Sequence, residues 1–221
     1  MKILLIRHAQ STGNVEKRLQ GRVDYELSAE GVAQAQRLGD RLRQEGQRPS
    51  HVYTSPLLRA RETARLILAQ VGVADGVQPA IAEALQEIDN GILSGLTWAE
   101  AQARHGELCA QLEASLEWLP VPEAEAPQTV RDRAQRFVED LLRRHHNDDR
   151  IWLVTHGGLL LHLVAALLGS DRTWGFEVGA TALFEFSVDG DRWATASAQN
   201  RYNSELWRIV RFNDSQHLRA T

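Results

Sequence analysis

Two histidines in this chain each follow a short apolar run and precede small or polar residues. His8 comes after the run 3–6 and Arg7, and His156 comes after the run 151–155 and before two glycines. An unbroken apolar run is typical of a strand that is buried on both faces. Because an unpaired buried cation is costly, Arg7 and His8 are expected where a strand ends, at the mouth of a pocket. Ligands bind at such strand ends in open parallel sheets, so the pattern predicts an anion pocket with His8 at its floor.

Other charged side chains that could take part in a reaction lie in two further segments. Arg59 and Arg61 fall near the start of a predicted helix for which Ser55 is the expected cap. Cations are disfavoured there unless an anion lies between them and the helix terminus, so the arginines are either solvated or part of an anion site. Glu87 and Asp89 share a loop that contains glycines, and the residue types alone do not show which of them would be the general acid.

The motifs that are missing narrow the chemistry. Neither His8 nor His156 has a second histidine at a metal-ligand spacing, and Cys109 is the single cysteine. The chain has no Gly-x-Ser-x-Gly elbow and no Gly-x4-Gly-Lys-Ser/Thr loop, which argues against a serine hydrolase and a P-loop nucleotide site. What remains is phosphate chemistry in which a histidine attacks, arginines neutralise the phosphoryl oxygens and a carboxylic acid protonates the leaving oxygen.

The elements that must position these residues can be predicted from hydrophobic periodicity and from capping and turn residues. Predicted helices cover 28–46, 55–71, 97–118, 129–146 and 159–168; predicted strands cover 3–6, 51–54, 78–85, 151–155, 179–188 and 192–198. The last two strands flank Asp189-Gly190, which is a hairpin signal. The alternation of strands and helices predicts an α/β three-layer sandwich with a mostly parallel central sheet and helices on both faces. We expect a single domain, 1–221, with a small helical cap insertion at 92–127.

Composition limits the possible partners and compartment. The net charge of −4 does not favour nucleic acid as a partner. A single cysteine rules out a disulfide framework and fits a reducing cytosol. No apolar run is long enough for a membrane span, and the first residues lead into the Arg7-His8 segment without a small-residue cleavage site. A cytoplasmic protein with no membrane partner is therefore expected.

Five blocks of the sequence resemble, in order, the histidine phosphatase superfamily, the phosphoglycerate mutase-like group. The blocks are Leu5-Ile6-Arg7-His8-Ala9-Gln10-Ser11 with Asn14; Gln20-Gly21 with Asp24 and 27–31; 53–64; 85–91 with 95–97; and 154–158. One block would be a weak signal, but the ordered set over residues 3–169 is a strong one.

The resemblance implies a role for each matching residue. His8 would be the nucleophile and would pass through a phosphohistidine. Glu87, rather than Asp89, would donate a proton to the leaving group and then act as the base for water. The phosphoryl group would be bound by Arg7, Asn14, Arg59, His156 and the backbone N–H of Gly157, with Gln20 and Gly21 as further substrate contacts. No metal or cofactor is implied, because the arginines and His156 would supply the charge stabilisation that Mg²⁺ supplies elsewhere.

The chain departs from the family's pattern at two places. Ala9-Gln10 stands where the family usually has Gly-Glu, and glycine is often used where φ is positive or space is tight. Glu125-Ala126-Pro127-Gln128-Thr129 stands where the family has Gly-Gly-Glu-Ser, so substrate contacts cannot be transferred to that region.

Three functions compete at this point. The favoured one is a phosphatase acting on a small phosphorylated metabolite, because only the 68 residues 88–155 separate Glu87 from His156, whereas mutases of the family typically carry a longer segment. The alternatives are a phosphoglycerate mutase and, with less support, a phosphate-binding protein without catalysis. The insertion 92–127 should decide the substrate, and a homodimer is possible. The other six histidines are at no spacing that places them in the site.

Overall fold

A six-stranded sheet forms the centre of the computed structural model, which describes residues 1–72, 77–193 and 202–219. The strands are β1 (Lys2–Arg7), β2 (His51–Thr54), β3 (Ala80–Ile81), β4 (Arg150–Thr155), β5 (Leu183–Val188) and β6 (Trp207–Asp214). The helices are α1 (Thr12–Val15), α2 (Ala29–Gln44), α3 (Leu58–Val71), α4 (Trp98–Ala114), α5 (Pro127–Arg144), α6 (Gly157–Leu168) and α7 (Gly190–Trp193). Short 3₁₀ turns cover Glu83–Leu85, Gly91–Leu93 and Gln216–Leu218.

The strand order is β3-β2-β4-β1-β5-β6. The first four strands in this order, β3, β2, β4 and β1, run parallel to one another. In contrast, β5 is antiparallel to β1, and β6 is antiparallel to β5. The predicted α/β class with a mostly parallel sheet is therefore confirmed. Because β1 and β4 are adjacent and parallel, their carboxyl ends lie side by side.

Side chains of β1 alternate between two hydrophobic cores, as the period of two in a strand requires. Ile3 and Leu5 pack into the cluster that includes residues of α5 and α6, whereas Leu4 and Ile6 pack into the cluster that includes residues of α2 and α3. All four side chains are buried, which explains why the strand is apolar without interruption. The sheet is thus covered on both faces.

A third apolar cluster lies within the segment 92–127, the predicted cap insertion. Its buried members are Leu93, Leu96, Ala101, Cys109, Leu112 and Val121. Thr97 begins α4 with a capping box, in which its hydroxyl accepts from the Glu100 N–H at 3.2 Å. The helix bends at His105 and ends at Ala114 rather than at the predicted residue 118.

Three local predictions are wrong. Ser55 does not cap α3, which begins at Leu58 after the extended residue Leu57. The strand predicted over 78–85 is reduced to Ala80–Ile81, because a 3₁₀ turn follows at once. The partner of β5 is β6 rather than 192–198: Gly190–Trp193 is a helical turn whose Arg192 N–H donates to Asp189, and residues 194–198 lie outside the described residues.

Within the described ranges, no helix combines the length and the apolar character that a membrane span requires.

Candidate active site

The two histidines of the sequence motifs emerge together at the carboxyl edge of the sheet. Arg7, the last residue of β1, is in register with Thr155, the last residue of β4. His8 and His156, which follow these two residues, are therefore neighbours, and their ring centroids are 5.1 Å apart. The His8 N–H also donates to the Thr155 carbonyl at 2.8 Å, which extends the strand pairing by one residue. The position matches the ligand-binding edge of open parallel sheets.

A cavity of about 230 Å³ opens beside His8. Seven of the nine residues predicted for the site line it: Arg7, His8, Asn14, Gln20, Gly21, Arg59 and Glu87. The other two lie directly beside these residues, since His156 packs on His8 and a Cβ placed on Gly157 would lie 3.4 Å from the Arg7 Nε. Segments that are far apart in sequence thus meet at one concave surface.

The backbone beside His8 determines which of its ring nitrogens carries the proton. Nδ1 lies 2.7 Å from the carbonyl oxygen of Ala9, and a carbonyl oxygen can only accept. The proton is therefore assigned to Nδ1, which leaves the lone pair of the neutral ring on Nε2. Burial, together with the charges of Arg7 and Arg59, lowers the pKa of His8 well below its usual value. The ring is neutral and its Nε2 is available as a nucleophile.

Alanine at position 9 fits its backbone without strain. Among the described residues, the positive φ angles outside glycine belong to Lys17, Glu123, Thr181 and Asn213 and not to Ala9. The Ala9 N–H donates to the Thr63 hydroxyl at 3.0 Å, which attaches the loop after His8 to α3.

Gln10 is engaged with α2. Its Oε1 accepts from the hydroxyl of Ser28, which caps α2 by accepting the Gly31 N–H at 3.0 Å. A Cβ on Gly31 would lie only 1.9 Å from the Gln10 carbonyl oxygen, so only glycine allows the first turn of α2 to approach the loop this closely. Gln10 thus anchors the loop after His8 to the N-terminus of α2.

One buried and one half-buried arginine, Arg59 and Arg7, supply positive charge. Arg59 is 1% exposed; its Nη1 and Nη2 donate to the carbonyls of Val23 and Gly21 at 2.9 and 2.8 Å. Arg7 donates through Nη1 to the Val178 carbonyl. In the part of the chain that the structure describes, the Nε of each arginine is buried without a hydrogen-bond partner. Burial lowers the pKa of both guanidinium groups, although arginine remains charged.

These contacts favour an anion site at Arg59 and a solvated side chain at Arg61. Arg59 lines the cavity with an unpartnered donor, whereas Arg61 is exposed. A buried donor without a partner costs about 1–3 kcal/mol, so a ligand that accepts from it is favoured. Two such donors on cations at one cavity are suited to an anion.

The cavity is also lined by Asn14 of α1 and by Gln20 and Gly21, which follow this helix. Asn14 Oδ1 accepts from the Ser11 N–H at 3.0 Å, so the side chain retains its NH₂ group as the donor for a ligand. Gln20 Oε1 accepts from the Ser11 hydroxyl at 2.7 Å. Gly21 has φ +51°, and its carbonyl is the acceptor for Arg59. Gln20 and Gly21 therefore have structural contacts in addition to the predicted contact with a substrate.

The structure separates the two candidate acids. Glu87 lines the cavity, and its Oε2 and Oε1 accept from the N–H groups of Gly158 and Leu159 at 3.1 and 3.0 Å. The carboxylate thus occupies the N-terminus of α6, where the helix dipole favours negative charge. Asp89 instead accepts from the Gly91 N–H at 2.9 Å and stabilises a turn. Of the two candidate acids, Glu87 is therefore the one that lies at the cavity.

Ser55 is a site residue that sequence reasoning missed. Its hydroxyl lies 2.7 Å from His156 Nε2 and accepts from the Leu57 N–H at 3.2 Å. Since the hydroxyl already accepts from Leu57, its own proton can go to Nε2, which assigns the ring proton of His156 to Nδ1. That Nδ1 is buried without a partner among the described residues. Burial, with His8 and Arg59 nearby, lowers the pKa of His156 well below its usual value. The Ser55-Pro56 pair marks this position in the sequence, where it predicts a helix cap.

Five further residues line the cavity without having been predicted: Arg18, Leu19, Ile88, Asn90 and Gly158. Arg18 is paired with Glu100 at 2.9 Å and also donates to the Gly95 carbonyl at 2.8 Å. These contacts connect the loop before α2 to the segment 92–127. Nothing in the sequence pattern of Asn90 or Leu19 marked them as lining residues.

The arrangement can perform one kind of chemistry with its own side chains. An anion in the cavity would meet two cations with unpartnered donors, a nucleophilic Nε2 and a carboxylate at a helix terminus. These groups match the requirements of phosphoryl transfer, which depends mainly on positioning and on electrostatic stabilisation.

Comparison with known proteins gives matches over nearly the whole chain. Residues 3–201 match the model of the histidine phosphatase superfamily (branch 1). The chain is 32% identical over 160 residues to the metal-independent phosphoserine phosphatase of Arabidopsis thaliana, covering 72% of this chain and 65% of that protein. It is 35% identical over 173 residues to the 2,3-bisphosphoglycerate-dependent phosphoglycerate mutase of Methylorubrum populi, covering 76% of this chain and 79% of that protein.

Among solved structures, Bacillus stearothermophilus YhfR superposes with a TM-score of 0.79 at 26% identity and covers 98% of both chains.

Proposed function

Because the chain belongs to the histidine phosphatase superfamily, we propose that it hydrolyses the phosphomonoester of a small metabolite through a phosphohistidine on His8. The observation that carries the proposal is the Ala9 carbonyl 2.7 Å from His8 Nδ1, which leaves Nε2 unprotonated beside two arginines. The similarity to a metal-independent phosphoserine phosphatase supports hydrolysis by side chains alone.

In the first step, the lone pair of His8 Nε2 attacks phosphorus and the bond from phosphorus to the ester oxygen breaks. Arg7, Arg59, Asn14 and the Nδ1–H of His156 would bind the phosphoryl oxygens, because each offers a donor at or beside the cavity. Glu87 gives its proton to the leaving oxygen, which departs as an alcohol.

In the second step, water attacks the phosphohistidine. Glu87, now a carboxylate, accepts a proton from the water as the new P–O bond forms and the P–N bond breaks. Inorganic phosphate leaves, the lone pair returns to His8 Nε2 and Glu87 is again protonated. The cycle balances without a metal or a cofactor.

Phosphoglycerate mutase is the second candidate, and the 35% identity to a protein of that name supports it. A mutase must return the phosphoryl group to an acceptor alcohol before water attacks. The segment between Glu87 and His156 is 68 residues long, whereas mutases of the family typically carry a longer one. It offers less chain to close the site against water, so we favour hydrolysis.

The two functions separate in a direct assay. The protein is incubated with p-nitrophenyl phosphate and, in a second reaction, with 3-phosphoglycerate and 2,3-bisphosphoglycerate. We expect phosphate release from the aryl ester, lost by at least about 10³-fold in His8→Ala and unchanged in the matched control His105→Ala. Isomerisation of phosphoglycerate without net phosphate release would instead support the mutase. Phosphate binding without either reaction would leave only a binding protein.

A further inference from the structure

The edge of the sheet opposite the cavity carries a second group of chemically active side chains. His51 begins β2, His145 directly follows α5, and Asp149 lies just before β4. One ligand atom from each of the three lies within 4.8 Å of the other two. The His51 and His145 rings meet edge to face, with centroids 4.4 Å apart.

The distance from each histidine nitrogen to the nearer oxygen of Asp149 is close to the ligand spacing around a tetrahedral ion. His145 Nδ1 lies 3.2 Å from Asp149 Oδ2, and His51 Nδ1 lies 3.6 Å from Asp149 Oδ1. Two ligands at about 2.0–2.1 Å from a tetrahedral zinc ion are about 3.3 Å apart. The ligand atoms of the three side chains, which lie within 4.8 Å of one another, could therefore receive an ion if the side chains rotate towards it.

Neighbouring groups already orient these side chains. In the metal-free chain, His145 Nδ1 donates to Asp149 Oδ2 at 3.2 Å, because a carboxylate oxygen can only accept, and the Tyr53 hydroxyl lies 2.9 Å from His145 Nε2. An ion on Nδ1 requires the ring proton to be on Nε2, where the Tyr53 hydroxyl can accept it. Asp149 Oδ2 accepts from the His146 N–H at 2.9 Å, and Ser50 Oγ lies 3.1 Å from Asp149 Oδ1. Metal ligands in proteins usually have such outer partners, which select the tautomer and hold the carboxylate in place.

We propose that His51, His145 and Asp149 bind one divalent ion of the zinc class, with water in the fourth position. Two imidazoles and one carboxylate are typical zinc ligands, whereas Mg²⁺ prefers a larger set of oxygens. The ion would connect the start of β2, the end of α5 and the segment before β4, so its binding would stabilise the fold. The site lies a full length of β4 from His156, about 20 Å at 3.3 Å per residue, so it is separate from the chemistry at His8.

The test uses the whole chain after removal of metal with a chelator. We expect Zn²⁺ to bind at one ion per chain by calorimetry and to raise the melting temperature, while Mg²⁺ at the same concentration does neither. His51→Ala should weaken Zn²⁺ binding by at least about tenfold. His51 is an exposed residue at the start of its strand, so this variant should fold. The control His105→Ala removes a histidine from α4 and should bind Zn²⁺ like the wild type.

A further variant separates the proposed site from the cavity. His8→Ala should retain Zn²⁺ binding, because the cavity histidines do not contribute to it. The proposal is overturned if the wild type binds no Zn²⁺, if His51→Ala binds it as tightly as the wild type, or if His8→Ala abolishes binding. In those cases the three residues form a hydrogen-bonded cluster without a metal, or the ion occupies the cavity.

Discussion

At the scale of single residues, the chemistry proposed for His8 depends on the backbone carbonyl of Ala9. The Ala9 carbonyl accepts from Nδ1–H and so leaves Nε2 as the atom for the proposed nucleophilic attack. Any residue at position 9 with this backbone conformation would do the same, which explains why alanine can stand where glycine is usual in the family. At His156 the equivalent assignment comes from a side chain, the hydroxyl of Ser55.

Glu87→Gln is the most informative change at this scale. Glutamine retains the shape and one acceptor oxygen for α6, but it cannot supply a proton. We expect hydrolysis of alkyl phosphates to slow by about 10²- to 10⁴-fold and that of p-nitrophenyl phosphate to slow much less, because nitrophenolate needs no proton to leave. Steady-state kcat for both esters measures the difference.

The matched control for this change is Asp89→Asn, at the acid that stabilises a turn instead of lining the cavity. Its effect on the two esters should be equal. If Glu87→Gln slowed both esters by the same factor, Glu87 would not be the acid.

At the scale of elements, the site is assembled from their ends. His8 follows β1, His156 precedes α6, Arg59 lies in the first turn of α3, and Glu87 follows a 3₁₀ turn. A contact from α5 holds this last segment in place. Arg133 forms two hydrogen bonds to Glu125, at 2.9 and 2.7 Å, and donates to the carbonyls of Ala84 and Gln86, both at 2.8 Å.

Arg133→Met should therefore act through Glu87. The variant loses the contacts to both carbonyls and leaves Glu125 without that partner, so we expect the free energy of unfolding to fall by about 1–3 kcal/mol. The ratio of kcat for alkyl phosphates to kcat for p-nitrophenyl phosphate should also fall, since a displaced Glu87 donates its proton less well. Urea denaturation and the two-ester assay measure these effects.

Arg136→Met is the control, because Arg136 lies one turn further along α5 and donates to the Asp132 carbonyl at the surface. It should change neither quantity appreciably. A loss of stability in Arg133→Met with an unchanged ratio would restrict Arg133 to a structural role.

At the scale of the whole molecule, burial of neutral histidines makes stability depend on pH. His8 and His156 have pKa values well below the usual 6.5 in the folded chain, first because of burial and then because of nearby positive charge, from Arg7 and Arg59 at both rings. The pKa of His217, whose Nε2 contacts the Thr181 hydroxyl at 2.7 Å, is lowered to about 4. All three rings ionise more readily in the unfolded chain.

The free energy of unfolding should consequently be highest above pH 6.5 and should decline as the pH falls below that value. Below pH 6.5 the unfolded chain takes up protons that the folded chain does not. Each of the two cavity histidines should contribute a slope of up to about 1.4 kcal/mol per pH unit, until the pH reaches its folded pKa. Urea denaturation at pH 7, 6 and 5 gives the slope.

His156→Gln should flatten this dependence, whereas His105→Gln, on α4, should leave it unchanged. Equal slopes in the wild type and His156→Gln would mean that His156 is not held neutral in the folded chain.

The sequence by itself determined the sheet class, most helices and the residue types at the site. Apolar runs, caps and glycines are local signals, and the ordered motif blocks identified the family without any coordinates. The buried strands β1 and β4 were predictable because a run without polar interruption can only be covered on both faces.

Only the tertiary structure decided which side chains meet. Residue types could not choose between Glu87 and Asp89, because the choice depends on the distance to the N-terminus of α6, 71 residues later in the chain. The sequence predicts a helix cap at Ser55, because its actual partner, His156, comes near only through the pairing of β2 with β4. The sequence also predicts the wrong partner strand for β5, because strand pairing depends on contacts between distant segments. Local patterns specify conformation, whereas contacts between distant segments depend on how the sheet orders its strands.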